Sequence, residues 1–175
     1  MLHRIGQFIH ALTAKMEPAD RQFVNQILSE AEQKAFYAMD TNSQKHSVLV
    51  AKTCVRLAGR WANVDLSALL RGALLHDIGK LKGDMGTADR VLIVAVNKLW
   101  PRLARWLAQP RGGAIWQGFG RPFYIHSRHS ELGCTAARSI GVEEKVLQLI
   151  SGHHSPPSEG EPLELTLLRQ ADNLH

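Results

Sequence analysis

The sequence predicts an all-α domain, and three observations carry that prediction. Apolar residues recur with helical spacing in run after run, whereas the strict alternation of a half-buried strand is missing. No Asn-Gly or Asp-Gly dipeptide marks a tight hairpin turn. Finally, the runs are bounded by residues that start and stop helices, with Asp, Ser or Thr before them and Gly or Pro after them. At 175 residues the chain has the size of one ordinary domain, able to bury about two-thirds of its unfolded surface without covalent cross-links.

Residues 2–14 read as a short helix with Leu2, Ile5, Phe8 or Ile9, and Leu12 on one face. Pro18 suits a first helical position, and Phe23, Ile27, Ala31, Ala35 and Ala38 then hold one helical period to about Met39. Residues 1–39 are therefore expected to form accessory N-terminal helices. Asp40-Thr41-Asn42-Ser43 interrupts the pattern with capping residues, and the next helix starts from Thr41 or Ser43. It carries His46, Leu49, Val50, Thr53, Cys54, Leu57, Ala58 and Trp61 as one stripe, with Gly59 and Asn63 as stop signals. Asp65 caps the following helix, whose inward residues Leu66, Leu69, Leu70, Ala73 and Leu74 make its last turn deliver His76 and Asp77 to the interior. Gly79 then lets the backbone turn and leaves Lys80 beside the pair.

Thr87 is expected to cap a helix to Trp100 with Val91, Leu92, Ala95, Val96 and Leu99 as its apolar set. Pro101 breaks that helix, and a shorter one from Pro101 to Ala108 is ended by Pro110, Gly112 and Gly113. A Gly- and aromatic-bearing loop follows, up to Tyr124. Trp100, Trp106, Trp116, Phe119, Phe123 and Tyr124 either roof the core or offer flat faces for a base. A helix from His129 or Ser130 through Leu132, Ala136 and Ile140 ends at Gly141. Val142, Val146, Leu149, Ile150 and His153 share the next inward face, with His154 beside it. After the solvated Ser155-Pro156-Pro157 connection, Glu161-Pro162 opens a last helix that aims Leu165, Leu168 and Asp172 at the core.

The formal charge of +5 is unevenly placed. From Arg90 to Ser130 there are seven basic residues (Arg90, Lys98, Arg102, Arg105, Arg111, Arg121, Arg128) and no acid, so the remaining fourteen basic and sixteen acidic residues sum to −2. The excess belongs to one segment and points to a local anionic partner. Cys54 and Cys134 lie on apolar helix faces without Cys-x-x-Cys spacing, which reads as buried thiols in a reducing compartment. The longest apolar run, Val91–Val96, is far short of a membrane span, and charges break the N-terminal run, so a cytoplasmic location is expected.

The residues with the most chemistry are His76-Asp77, at the end of an apolar helix. A buried carboxylate beside an imidazole needs a partner, and a metal ion offsets the cost of its burial. His46 lies upstream; His129, His153-His154 and Asp172 lie downstream, each on or at the end of another predicted helix. The order His46 … His76-Asp77 … Asp172 resembles the HD-domain metal-dependent phosphohydrolase superfamily. His76-Asp77-Ile78-Gly79-Lys80 is most similar to its HDIG subgroup, and His129 with His153-His154 is similar to the members that hold two metals. The resemblance covers residues 40–81 and 126–175.

It implies a single HD-type helical bundle over 1–175, with an inserted, basic, Trp-rich helical and loop segment around residues 82–125. It further implies that His46, His76, Asp77 and Asp172 hold one divalent ion, and that Asp77 bridges to a second held by His129, His153 and His154. The ions would be Mn, Fe, Ni, Zn or Mg, one or two in number, activating water against a phosphoester. Asp77 and Lys80 are the expected catalytic residues. Lys80, and less directly Lys82, Arg121 and Arg128, are candidates for the substrate phosphate. His126 is read as lying in the loop, outside the ligand set. Two departures narrow the resemblance. Ser155-Pro156-Pro157 stands where the cyclic-dinucleotide phosphodiesterases carry Gly-Tyr-Pro, and Asn42 stands where some multi-metal relatives have a carboxylate, so no third ion is expected. The expected substrate is a nucleotide or other small phosphorylated molecule, attacked by a phosphomonoesterase or phosphodiesterase. Two alternatives are a regulatory module that binds a nucleotide without turnover, and a variant held at a membrane surface by the 82–125 segment. Nucleic acid is not an expected partner, because no recognition motif accompanies the basic residues.

Overall fold

The computed structural model describes residues 15–110, 113 and 116–175. The helix expected over residues 2–14, and Arg111 and Gly112 of the expected loop, lie outside the described residues. Nine α-helices and one π-helical turn make up the described part: α1 Pro18–Ile27, α2 Glu30–Tyr37, α3 Thr41–Ala58, α4 Leu66–Leu75, α5 Thr87–Leu99, α6 Pro101–Leu107, the π turn Trp116–Gly120, α7 Arg121–Ser139, α8 Glu144–Gly152 and α9 Leu163–Asp172. Extended pairing among the described residues is limited to an isolated antiparallel bridge between Met39 and Leu81.

Local side-chain chemistry sets most helix ends. Asp40 opens α3, its Oδ1 accepting from the Asn42 and Ser43 amides at 3.0 and 3.1 Å, and Asp65 opens α4 by accepting from the Ala68 amide at 3.0 Å. The stretch expected as one helix from Pro18 to Met39 is two. Ser29 accepts from the Glu32 amide while Glu32 accepts from the Ser29 amide at 2.9 Å. This reciprocal cap starts α2 afresh within an unbroken apolar period. α7 begins at Arg121, eight residues before the expected start, with Pro122 in its first turn, and so takes in His126. Its C-terminus closes on Gly141 at φ 79°, with Gly141 and Val142 amides reaching back to Arg138 and Ala137 carbonyls.

α3, α4, α8 and α9 pack together around Val50, Cys54, Leu69, Leu74, Leu149 and Leu168, with α1 and α2 against one side and α7 against α8. Both cysteines are buried free thiols. Every residue from Gly72 to Gly79 is buried, so the His76-Asp77 turn lies inside the bundle. The insertion has a small core of its own, Ile93, Val96, Ala104 and Phe123, built from α5, α6 and the start of α7.

Three inward assignments, in α3, α4 and α5, are corrected by this packing. Trp61 is 55% exposed because α3 ends at Ala58, before the stripe reaches it. Leu66, in the first turn of α4, is exposed. α5 packs mainly on α6 and α7, with Arg90 reaching Asp40 and Ser43 at the start of α3, a narrow contact that buries Ile93 and Val96 and leaves Val91, Leu92 and Leu99 exposed. In α7 the buried residues of the C-terminal half are His129, Gly133, Cys134 and Ala137. The cause there is backbone proximity: a helix pressed against its neighbour turns its smallest residue inward.

That neighbour is Gly79. It lies in the expected turn, closed by the Lys80 amide donating to the Asp77 carbonyl at 2.9 Å, but its φ is not left-handed; among the described residues the left-handed glycines are Gly83, Gly113, Gly141 and Gly160. A Cβ on Gly79 would fall 2.1 Å from the His129 carbonyl oxygen and 2.9 Å from the Gly133 amide nitrogen. Its role is close approach of the His76-Asp77 turn to α7. Gly79→Ala is therefore expected to lower stability by about 1–3 kcal/mol, toward the upper end because rigid backbone is what it meets. Gly59→Ala, whose Cβ would find nothing nearer than 3.7 Å, should stay within about 0.5 kcal/mol. Urea midpoints of the two variants check the contrast.

Candidate metal centre

Five elements bring seven donor side chains together. His46 comes from the second turn of α3, His76 and Asp77 from the turn after α4, His129 from the middle of α7, His153 and His154 from the end of α8, and Asp172 from the end of α9. Three overlapping groups each place their ligand atoms within 4.8 Å of one another: His46, His76 and Asp172; His76, Asp77 and His153; His129, His153 and His154. His76, Asp77, His129 and His153 are at most 3% exposed.

The backbone fixes the imidazole tautomers. Nδ1 of His76, His129 and His153 lies 2.8, 2.7 and 2.7 Å from the carbonyl oxygen three residues earlier, of Ala73, His126 and Ile150. A carbonyl only accepts, so each Nδ1 carries the proton and donates it. Burial, reinforced by the nearby Lys80 ammonium, pushes His129 down to about 2. Burial and the neighbouring His76 push His153 down to about 3. Both rings are thus neutral near pH 7, and both present a bare Nε2 lone pair to the interior.

Those lone pairs face each other. His129 Nε2 lies 3.2 Å from His153 Nε2 and 3.0 Å from His154 Nε2. Between His129 and His153 no proton is available to make that approach attractive. Two nitrogens bound to one ion at about 2.0–2.1 Å and separated by a tetrahedral or square angle would stand roughly 2.8–3.4 Å apart, so the spacing suits a shared cation.

The carboxylates complete both halves. Asp172 Oδ1 lies 2.9 Å from His46 Nε2 and 3.7 Å from His76 Nε2. Asp77 Oδ1 lies 3.3 Å from His129 Nε2, 3.7 Å from His76 Nε2 and 2.7 Å from Lys80 Nζ. The ammonium compensates its charge without a well-angled hydrogen bond, so this buried oxygen has no hydrogen-bond partner. An orphaned carboxylate oxygen ringed by imidazole nitrogens fits a metal ligand. Burial alone would raise both acids. For Asp77 the surrounding positive charge, Lys80 foremost, outweighs it and holds the carboxyl well below the usual range. For Asp172 the hydrogen bond with His46 does the same.

The other predicted residues sit differently. Lys80 is at the centre, ion-paired with Asp77. Arg121 pairs with Asp84 at 2.7 Å, Arg128 pairs with Glu131 at 2.9 Å on the exposed side of α7, and Lys82 is exposed. None of their contacts is with the donor cluster, so these three are not brought to it. The reason is that α7 turns His129 inward, which turns its neighbour Arg128 out. His126, expected in a loop, lies on α7 with its ring centroid 6.1 Å from that of His129. Burial and Lys80 push it down to about 4. The aromatic residues of the insertion divide. Phe123 is buried, Trp116 donates to the Gln109 carbonyl at 2.7 Å and meets Tyr124 edge-on, while Trp100, Trp106 and Phe119 are exposed.

Sequence reasoning missed the residues of a cleft of about 400 Å³ that opens beside His153 and His154 and is bounded by Ser155, Glu161, Arg169 and Asn173. Arg169 is clamped across both oxygens of Glu161 at 2.7 Å, spanning the loop before α9. Its only trace in the sequence was its place one turn before Asp172.

No helix among the described residues is long and apolar enough to cross a membrane. No curated protein and no solved structure matches the chain. The family model for the HD domain matches residues 44–175, or 132 of 175 residues, a span that includes every member of the donor cluster. With His46, His76-Asp77 and Asp172 gathered at one site and the match running across three-quarters of its length, the chain belongs to the HD-domain family.

Proposed function

We propose that the chain is a metal-dependent phosphohydrolase acting on a nucleotide or other small phosphorylated molecule. The observation that carries this reading is the pair of neutral, backbone-locked imidazoles, His129 and His153, whose unprotonated Nε2 atoms meet at 3.2 Å. His46, His76 and Asp172 would hold one divalent ion, and His129, His153 and His154 a second, with Asp77 between the two sets. Five imidazoles in the set favour Mn, Fe, Ni or Zn over Mg, which prefers oxygen. When bound, such ions lower the pKa of water and neutralise charge on a phosphoryl group.

The chain's own residues do the remaining work. Asp77, held ionised, is the acceptor placed to orient water at the centre of the cluster. Lys80 Nζ, 2.7 Å from Asp77, stands where it can also meet an anionic phosphoryl oxygen. The carbonyls of Ala73, His126 and Ile150 keep three rings from rotating, so the donor set is preorganised. The cleft beside His153 and His154 has room for a small substrate, and Arg169, neutralised by Glu161, helps shape its wall.

Elemental analysis of the purified protein is expected to give close to two transition-metal equivalents per chain. Asp77→Ala should lose metal and activity together, whereas Lys80→Ala should retain metal and lose roughly a hundredfold in turnover. The readout is a panel of nucleotides and phosphoesters assayed with Mn, Fe, Ni and Mg. Near-zero metal after reconstitution, or normal metal content in Asp77→Ala, overturns the assignment.

The same neutral histidines set a pH dependence for the metal-free chain. His129 and His153 bind protons near pH 6.5 when unfolded but only at about 2 and about 3 when folded. Below pH 6.5 the unfolded state binds more protons, so stability rises with pH and falls steadily from about 6.5 downward. Two such groups give at most about 2.7 kcal/mol per pH unit. Urea midpoints of chelator-treated protein at about pH 7.5 and about pH 5 should differ in that direction. Equal midpoints would mean that these rings take up protons in place.

A further inference from the structure

We infer that the α5–α6 hairpin is a docking surface for anionic lipid bilayers. α5 and α6 bury Ile93, Val96 and Ala104 against Phe123, with Leu107 packed beside them, and turn most of their other apolar residues outward. Val91, Leu92, Val94, Leu99, Trp100 and Leu103 are all more than 40% exposed, with Leu99 at 62% and Trp100 at 60%. Eight of the thirteen large exposed hydrophobic residues among the described ones lie within 82–125. An apolar face of this density on a short two-helix unit is characteristic of an interaction site.

Charge selects the occupant. Lys98, Arg102 and Arg105 stand among these apolar residues, and among the described residues no carboxylate lies within ion-pair reach of them. No acid occurs from Arg90 to Ser130, while the rest of the chain sums to −2. A second copy of this face would bring like charges together. A nucleic acid would answer the cations but leave the Val and Leu side chains without partners. A bilayer with anionic headgroups answers both: the aliphatic side chains enter the acyl boundary, Trp100 sits at headgroup level, and Lys98, Arg102 and Arg105 extend to the phosphates. Because the insertion packs on α7, which carries His129, docking would fix the orientation of the metal centre to the membrane plane.

The test is co-sedimentation of the full chain with two vesicle types, phosphatidylcholine alone and phosphatidylcholine with about one-third phosphatidylglycerol. Binding to the anionic vesicles only, weakened by salt and accompanied by a blue shift of tryptophan emission, is expected. Arg102→Glu should reduce partitioning at least fivefold. Arg138→Glu, at an exposed position on the far end of α7, should not. Leu99→Gln with Leu103→Gln, both at exposed positions and checked for an unchanged urea midpoint, should reduce binding with the charges intact. Equal binding to both vesicle types, no binding to either, or equal effects of Arg102→Glu and Arg138→Glu would overturn the proposal. So would a lipid-independent dimer abolished by the leucine pair, which would assign the face to a second copy. None of these readouts depends on hydrolytic activity.

Discussion

The centre of this protein is a set of electron pairs that repel one another. Bare imidazole nitrogens of His129 and His153 stand 3.2 Å apart, and a buried carboxylate oxygen of Asp77 lies 3.3 Å from the same His129 nitrogen. In a dry interior such an arrangement is costly. The fold can hold it because each ring is tethered by its other nitrogen to a backbone carbonyl, and because Lys80 brings a positive charge to Asp77. A divalent cation held there would convert the same repulsions into coordinate bonds.

Two structural devices bring the donors close. The first is the absence of a side chain at Gly79, which lets the His76-Asp77 turn lie directly on the His129–Gly133 segment of α7. The second is the packing of α3 against α9, which sets His46 beside Asp172 at 2.9 Å although 126 residues separate them in the chain. One contact assembles the Asp77–His129 half and the other the His46–Asp172 half. His76, within 3.7 Å of both carboxylates, joins the two.

The insertion obeys different rules from the bundle. Its core is small, its contacts run to α7 and, through Arg90, to Asp40 and Ser43, and its outward surface combines aliphatic residues with the cations Lys98, Arg102 and Arg105. Local apolar periodicity in α5 misidentifies the inward face because the helix carries more apolar residues than one narrow contact can cover. Val91, Leu92 and Leu99 obey the helical period as well as Ile93 and Val96 do; what differs is only which side meets another helix.

Much of this was written in local chemistry. The all-α class, the caps at Asp40 and Asp65, the break at Pro101 and the stop at Gly141 follow from short-range preferences that need no partner. The full ligand set of His46, His76, Asp77, His129, His153, His154 and Asp172 came from the resemblance to the HD-domain superfamily, with local periodicity showing an inward position for His46, His76-Asp77, His153 and Asp172. Tertiary structure alone decided the rest. It sent Arg121 to Asp84, and it set Asp77 beside His129 and His46 beside Asp172 across helices distant in sequence. It brought His126 onto α7, opened the cleft at Arg169, and made Gly79 a close contact with α7 as well as part of the turn. The physical reason is one of range: capping and periodicity act over a few residues, whereas which charge meets which, and which backbones touch, depends on how whole helices are packed.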